Sequence, residues 1–383
     1  MKLNTLRYLD RKIGIPLCYA LYFLKRALFL HARHKFEKEK VKKILVIKIY
    51  GMGSIILASP MFKNLKKNFP NAEIWFLTQK GLDKIYPTKF FSRFEILNLN
   101  FFNAFFDFAR LVFKLRKQKF DLVIDLEIVS RYTALLSYLC GAKTKVGFEI
   151  AGQNKDKLYD YKATYHESKN MSTTFLNTIE ALGIKTEFLP PEPPEFSAND
   201  EKNINNLLKE KNISSFAVIN INSSELAFER RLPLEFFKSI VLNITNNYNL
   251  PAVLIGSKKE SEYVKSFINK FLAGNKNIYD FTGLSLPELF ALIKKSRLMI
   301  SNDSGPAHIA AGHNILNIVF FGPASPVEYG PISEKTKIFY QETFCGPCIS
   351  IYRDKKINCV FGQRCLKNFD INEINEAISG FLN

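Results

Sequence analysis

Short runs of aliphatic and β-branched residues, too uniformly apolar to present a solvent face, recur along the chain with longer mixed stretches between them. Residues 43–49 (KILVIKI), 73–78 (EIWFLT) and 121–126 (DLVIDL) are such runs. A strand apolar on both faces belongs in a parallel sheet covered on both sides, and parallel neighbours need crossover connections, which helices supply. The stretches between them fit: residues 60–69, 105–117 and 130–139 read as helices. Residues 187–199, with the segment FLPPEPPEFSAN and its four prolines, suit neither a helix nor a central strand and read as a linker. Alternation then resumes, with helices predicted over 200–209, 233–244 and 261–271 and strands over 216–221 and 252–256. A capping box at Ser285 and Glu288 opens a helix to Lys295, residues 298–301 form a short buried strand, and Asp370 with Glu373 similarly opens a closing amphipathic helix to Leu382. The expected class is α/β, as two doubly wound halves over 41–186 and 200–383.

Length and charge agree with that division. At 383 residues the chain is long for one domain and comfortable for two. Its 54 Lys and Arg against 36 Asp and Glu leave a net charge of +18, which points to anionic partners. Nucleic acid is disfavoured, because no interleaved basic and aromatic recognition motif is present. Six cysteines are too sparse for a disulfide framework and no secretory signal opens the chain, so a reducing cytoplasm is expected. Residues 13–30 are mostly apolar but contain Pro16, Lys25 and Arg26, and the uninterrupted run 13–24 is too short to span a bilayer. Residues 1–40 therefore read as a basic amphipathic helix, which either lies at an anionic membrane interface or packs on the main body.

The richest stretch is residues 301–331, SNDSGPAHIAAGHNILNIVFFGPASPVEYGP. Asp303, Ser304, Gly305 and His308 follow a strand directly, and Pro306 suits a first helical turn, so free helix N–H groups would point at the sheet edge and favour a diphosphate. The bland alternative is an ordinary capped helix with a surface histidine. A second strand at 315–320 and the Gly-Pro loop 322–331 at the same edge weaken that alternative. Ser223 and Ser224, after the strand at 216–221, offer either hydroxyl donors or ordinary loop solvation.

With these segments in view the sequence resembles the glycosyltransferase family 9 enzymes, the lipopolysaccharide heptosyltransferases. The resemblance spans residues 43–382 and rests on ILVIKIYGMGS with Pro60, FDLVIDLE followed by GAKTKVGF, NSSELAFERRLP, NDSGPAHIAAG, FFGPASPVEYGP and the cysteines at 345, 348, 359 and 365. It implies a GT-B fold, two Rossmann-like domains facing a central cleft, with a nucleotide-diphosphate sugar donor on the C-terminal domain and an acceptor on the N-terminal one. It also implies inversion at the anomeric carbon with neither metal nor cofactor. Asp303, Ser304, Gly305 and His308 match the donor-phosphate segment, Arg230 matches the cation that neutralises the departing diphosphate, and Gly51, Met52 and Gly53 match the acceptor-side loop. Family members carry an Asp after that loop as the candidate base, whereas this chain has Ser54, which is no base at neutral pH. Glu127, at the C-terminal end of the strand 121–126, is the best-placed substitute, followed by Asp125.

The resemblance thus implies a cytoplasmic enzyme peripheral to the inner membrane, moving a sugar, with heptose from ADP-heptose favoured, onto a lipid-linked acceptor of the lipopolysaccharide core. Other readings are a transferase for another sugar and acceptor, or a nucleotide-sugar-binding homologue that lost its base. The spacing C-x2-C-x10-C-x5-C at Cys345, Cys348, Cys359 and Cys365 leaves a structural metal, reduced thiols and a local disulfide open.

Overall fold

The computed structural model describes residues 8, 10–27, 35–97, 104–223, 228–351 and 359–383. In chain order its first part runs α1 (Gly14–Ala27), β1 (Lys43–Ile47), α2 (Met52–Leu57), α3 (Ser59–Asn68), β2 (Glu73–Gln79), β3 (Arg93–Leu97), α4 (Ala104–Arg116), β4 (Leu122–Asp125), α5 (Arg131–Leu139), β5 (Thr144–Glu149), β6 (Tyr161–Thr164) and α6 (Met171–Glu180). The remainder is α7 (Ala198–Glu210), β7 (Ala217–Asn220), α8 (Leu234–Asn247), β8 (Ala252–Leu254), α9 (Ser261–Phe271), β9 (Ile278–Asp280), α10 (Leu286–Lys295), β10 (Leu298–Asn302), α11 (Gly305–Gly312), β11 (Leu316–Phe321), α12 (Pro326–Tyr329), β12 (Thr336–Tyr340), α13 (Arg364–Lys367) and α14 (Ile371–Leu382). The chain divides into two compact units, residues 1–51 with 58–189, and residues 52–57 with 190–383.

Each unit holds one six-stranded sheet, ordered β3-β2-β1-β4-β5-β6 in the first and β12-β11-β10-β7-β8-β9 in the second. Every pairing among them is parallel. Counted from each unit's own first strand, both sheets follow the order 3-2-1-4-5-6, the Rossmann-like arrangement that the sequence implied. The switch in strand direction of travel falls between β1 and β4 in one unit and between β7 and β10 in the other, and the carboxyl ends of those strands are where such sheets bind ligands.

The apolar runs are buried on both faces, as a parallel sheet requires: Ile44, Leu45, Val46 and Ile47 are each 0% exposed. On one face Leu45, Ile47, Trp75, Leu77 and Val123 pack beneath Leu111 and Leu115 of α4 and Leu136 of α5. On the other, Phe62 of α3 meets the rings of Phe76, Tyr86, Phe90 and Phe91 at centroid distances of 5.0–6.4 Å. In the second unit Ile219, Ile300, Ile318 and Phe320 are covered by Phe237 and Ile240 of α8 and by Ile374 and Ile378 of α14.

Several expectations need correction. The helix expected through residue 40 is, among the described residues, α1 ending at Ala27, and residues 38–40 form a separate 3-10 turn. α1 packs Cys18 and Leu21 against α5 while leaving its other side exposed, so it is a docked helix with a second apolar face. The loop expected over 51–53 is shorter, since Gly51 adopts φ +87 and α2 begins at Met52. The linker ends before Ala198, because Ser197 and Asp200 cap each other reciprocally and start α7 there. At the far end Asp370 caps α14 alone, accepting from Asn372 N. Strands β3, β5, β6, β9 and β12 and helices α6, α12 and α13 were not expected. Among the described residues no helix is long and apolar enough to cross a membrane.

Because Phe62 contacts four rings and is 1% exposed, Phe62→Ala should destabilise the protein by about 3–5 kcal/mol, read as a lowered midpoint in chemical denaturation. A loss below about 1 kcal/mol would mean that the ring cluster relaxes into the gap and does not hold α3 on the sheet.

Candidate active site

In the second unit the expected residues gather where β10 passes into α11. Asp303, 4% exposed, receives Arg230 Nη1 on Oδ2 at 3.2 Å. Two residues that the sequence assigned separately are therefore one ion pair. Burial pushes the Asp303 carboxyl above its ordinary value, and Arg230 opposes that shift. Arg230 lies in a 3-10 turn, and its Nε is buried without a hydrogen-bond partner among the described residues. Arg231 is engaged differently, its guanidinium 4.6 Å from the Phe228 ring centre and 4.3 Å from that of Tyr263.

Ser304 stands at the N-cap of α11 but makes no capping bond to the helix. Its Oγ donates to Asn302 O at 2.9 Å and accepts from Asn220 Nδ2 at 3.0 Å, so the helix entrance retains amide donors not taken by that side chain. Asn302 in turn donates to Ile221 O and Asn222 O and accepts from Leu232 N at 2.8 Å, which anchors both ends of the segment carrying Arg230. His308 is 6% exposed, and burial pushes it down to about 4, leaving a neutral imidazole at pH 7. Gly305 and Gly53 have steric reasons: a Cβ on the first would lie 2.2 Å from Met52 Cε and on the second 2.5 Å from His308 Cδ2, all within the unit that includes 52–57. Ser54 follows on α2. Ser223 is 2% exposed, not a solvated loop residue, and Ser224 lies outside the described residues. Sequence reasoning missed Asn220, Asn302 and Tyr329, whose buried phenol is raised further by Glu328 and Asp303 nearby.

The first unit places Glu127 just beyond β4, 6% exposed. Its Oε1 accepts from Lys48 Nζ at 2.8 Å, Ile49 N at 2.7 Å and Tyr50 N at 2.9 Å, binding the exit of β1 to the exit of β4. Burial would raise its carboxyl, but Lys48 and these hydrogen bonds outweigh burial and hold it below the ordinary 4.5. Among the described residues Oε2 has no hydrogen-bond donor. Asp125 is enclosed, with Oδ1 accepting from Glu127 N at 3.0 Å and Oδ2 from Tyr159 hydroxyl at 2.6 Å. Lys155 completes the group at 0% exposure, donating to the Glu127 carbonyl and, at 3.4 Å, to the Tyr159 hydroxyl. Gly147 makes room for it, since a Cβ there would fall 2.3 Å from the Tyr159 ring. Of this cluster the sequence pointed to Glu127 and Asp125; it missed Lys155 and Tyr159, and the signal for Lys48 was a cation inside an otherwise apolar run.

All six cysteines are free thiols in the structure. Cys345, Cys348, Cys359 and Cys365 line one small cavity, and burial followed by the three neighbouring thiols pushes Cys365 up to about 11. Among the described residues no group of three or more His, Cys, Asp or Glu is arranged to hold a metal ion.

A family model described as glycosyltransferase family 9 (heptosyltransferase) matches residues 108–357. The chain is similar to the lipopolysaccharide heptosyltransferase 1 of Campylobacter coli, 24% identical over 306 residues that span 73% of this chain and 84% of that one. Among solved structures it is similar to the glycosyl transferase family 9 protein of Veillonella parvula DSM 2008, with TM-score 0.73 and 19% identity over 91% of this chain and 99% of that one. It is likewise similar to the ADP-heptose lipopolysaccharide heptosyltransferase II of E. coli, with TM-score 0.70 and 17% identity over 89% and 98% of the two chains. At such identities the solved structures speak for the fold.

The buried Lys48–Glu127 pair sets a stability expectation. Lys48→Met should cost about 3–5 kcal/mol, because it strands a carboxylate 8% exposed at its side chain. With Glu127 depressed in the folded state, its contribution is complete above pH 4.5 and lost as pH falls through the folded value, so the variant should also lose less stability on acidification. Denaturation curves at pH 7 and pH 4 measure both, and coincident curves for variant and wild type would remove the pair from the account.

Proposed function

Since this chain belongs to glycosyltransferase family 9, we propose that it transfers heptose from ADP-heptose, with inversion, to a lipid-linked acceptor of the lipopolysaccharide core at the cytoplasmic face of the inner membrane. The observation that carries the donor half is the Arg230–Asp303 pair beside the N-terminus of α11. An incoming diphosphate competes with Asp303 for the guanidinium and receives the amides of the helix end, the same groups that stabilise the charge left on it when the sugar departs. Ser304 leaves the helix amides open by spending its hydroxyl on Asn302 O, Ser223 adds a hydroxyl, and His308, neutral at pH 7, contributes hydrogen bonding without charge.

For the acceptor half, Glu127 takes the hydroxyl proton on Oε2 as the acceptor oxygen attacks the anomeric carbon and the carbon–diphosphate oxygen bond breaks on the opposite side. The Gly51, Met52 and Gly53 loop, with Ser54, positions that acceptor. A second reading is favoured by one specific feature: Oε1 of Glu127 is saturated by three donors and its carboxyl is held low, which weakens it as a base. On that reading the protein binds a nucleotide sugar without turning it over.

Calorimetric binding of ADP-heptose and transfer to a deacylated core acceptor separate these readings. Arg230→Ala should weaken donor binding by about 10- to 100-fold, the equivalent of a charge-assisted contact, whereas Arg231→Ala, stacked on Phe228 and Tyr263, should change it little. Glu127→Gln should leave donor binding nearly unchanged and lower transfer by about 10² to 10⁴. Binding by wild type with no turnover of any nucleotide-heptose supports the silent binder, and equal small effects from both arginines remove the donor assignment.

A further inference from the structure

α1 is apolar on two sides. Gly14, Cys18 and Leu21 face inward onto α5, and Lys25 fastens the helix to Asp160 at 3.0 Å. On the outer side Ile13, Leu17, Phe23 and Leu24 are 53%, 45%, 61% and 54% exposed, a stripe at helical spacing with Ala20 between. α4 carries a second set, Phe105, Phe106 and Phe113, at 78%, 73% and 62% exposure. Leu21 of α1 and Phe108 of α4 pack against one cluster of Cys18, Ala134, Leu135, Leu158 and Tyr159, so the two helices flank α5 on one side of the first sheet. Of the 14 large hydrophobic residues exposed among those described, seven fall on these helices or the residue preceding α1, a concentration that scattered surface residues would not give.

The charges around this face select its occupant. Arg11, Lys12 and Arg26 stand at the ends of α1, with Arg110 and Lys117 on and just past α4, all exposed, and residues 11–27 contain no acid. A second copy of the chain docked about a two-fold axis would set these cations against their own equivalents. An anionic bilayer instead offers apolar depth to the stripe and negative headgroups to its rim. We propose that α1 and α4 together form one membrane-docking face that rests in the interface of an anionic bilayer. This deepens the reading that the protein works at a membrane surface, and it places the burden on aromatic and aliphatic side chains as well as on net charge.

The full chain is tested by sedimentation with phosphatidylcholine vesicles containing or lacking phosphatidylglycerol. Two double variants, Leu17→Ser with Phe23→Ser on α1 and Phe106→Ser with Phe113→Ser on α4, are compared with Phe188→Ser, an exposed control that belongs to neither helix. Wild type should sediment with anionic vesicles and far less with neutral ones, each double variant should bind about tenfold or more weakly, and the control should match wild type. Thermal melts and ADP-heptose binding should be unchanged throughout, and should the α1 variant unfold, the α4 variant still decides. Independently, Phe113→Trp should show blue-shifted emission from its new indole on addition of anionic vesicles, against a background of one native tryptophan that is 5% exposed. Wild type binding with both double variants binding equally well overturns the face and leaves the membrane reading standing. Failure of wild type to bind either vesicle overturns the membrane reading itself, and a vesicle-free dimer that the variants dissociate assigns the face to a second copy.

Discussion

A parallel strand covered on both faces has nowhere to put a polar side chain except at its ends, and the chemistry of this protein is arranged by that restriction. Through Ile44–Ile47 every side chain is sealed, and the first cation, Lys48, appears one residue past β1. β4 ends at Asp125 and is followed by Glu127, while β10 ends at Asn302 and is followed by Asp303. These groups emerge while still buried, and an ionised group in such surroundings persists only with a partner. Hence Lys48 meets Glu127, Lys155 lies with Asp125 and Tyr159, and Arg230 meets Asp303.

The pairs are not equivalent. Lys48–Glu127 is locked, with main-chain amides of the chain leaving β1 converging on the same carboxylate oxygen. Its first duty is to hold two strand exits together, and any catalytic duty must use the oxygen left over. Arg230–Asp303 is a single contact at 3.2 Å beside a helix entrance whose cap side chain makes no capping bond, with one guanidinium nitrogen lacking a hydrogen-bond partner among the described residues. A pair of that kind can exchange its anion, which is the behaviour required of a group that receives a diphosphate and releases it. Family membership says what class of reaction this chain's relatives perform; the difference in how tightly the two carboxylates are held separates a pair that fastens the fold from one that can change partners.

The N-terminal helix answers to a different physics. It is fixed to the first unit by a small apolar cluster, by the Lys25–Asp160 ion pair and by Lys157 over the rings of Tyr19 and Tyr22, while Leu17, Phe23 and Leu24 stay exposed. A helix with that much apolar surface left over is stable in solution only because its inner face is docked, and its outer face is available to a second apolar phase.

Much of this was legible in the sequence, and the boundary of legibility has a cause. KILVIKI, DLVIDL and the strand before Asp303 declare themselves because a strand buried on both faces confines polar residues to its ends, and the capping box at Ser285 and Glu288 declares itself because both partners lie within one turn. Strands β3 and β6 stayed hidden because they are sheet edges with exposed positions, patterns of polar and apolar residues that no period distinguishes from a loop. The donor-side segment could be read because Asp303, Ser304, Gly305 and His308 act through one strand–helix junction. What the sequence could not decide was pairing across distance: Lys48 with Glu127 over 79 positions, Tyr159 with Asp125 over 34, and Arg230 with Asp303 over 73. Local pattern fixes which face of an element is apolar, but only the order of strands in the sheet determines which two strand ends become neighbours, and that adjacency selects the partner for each buried charge.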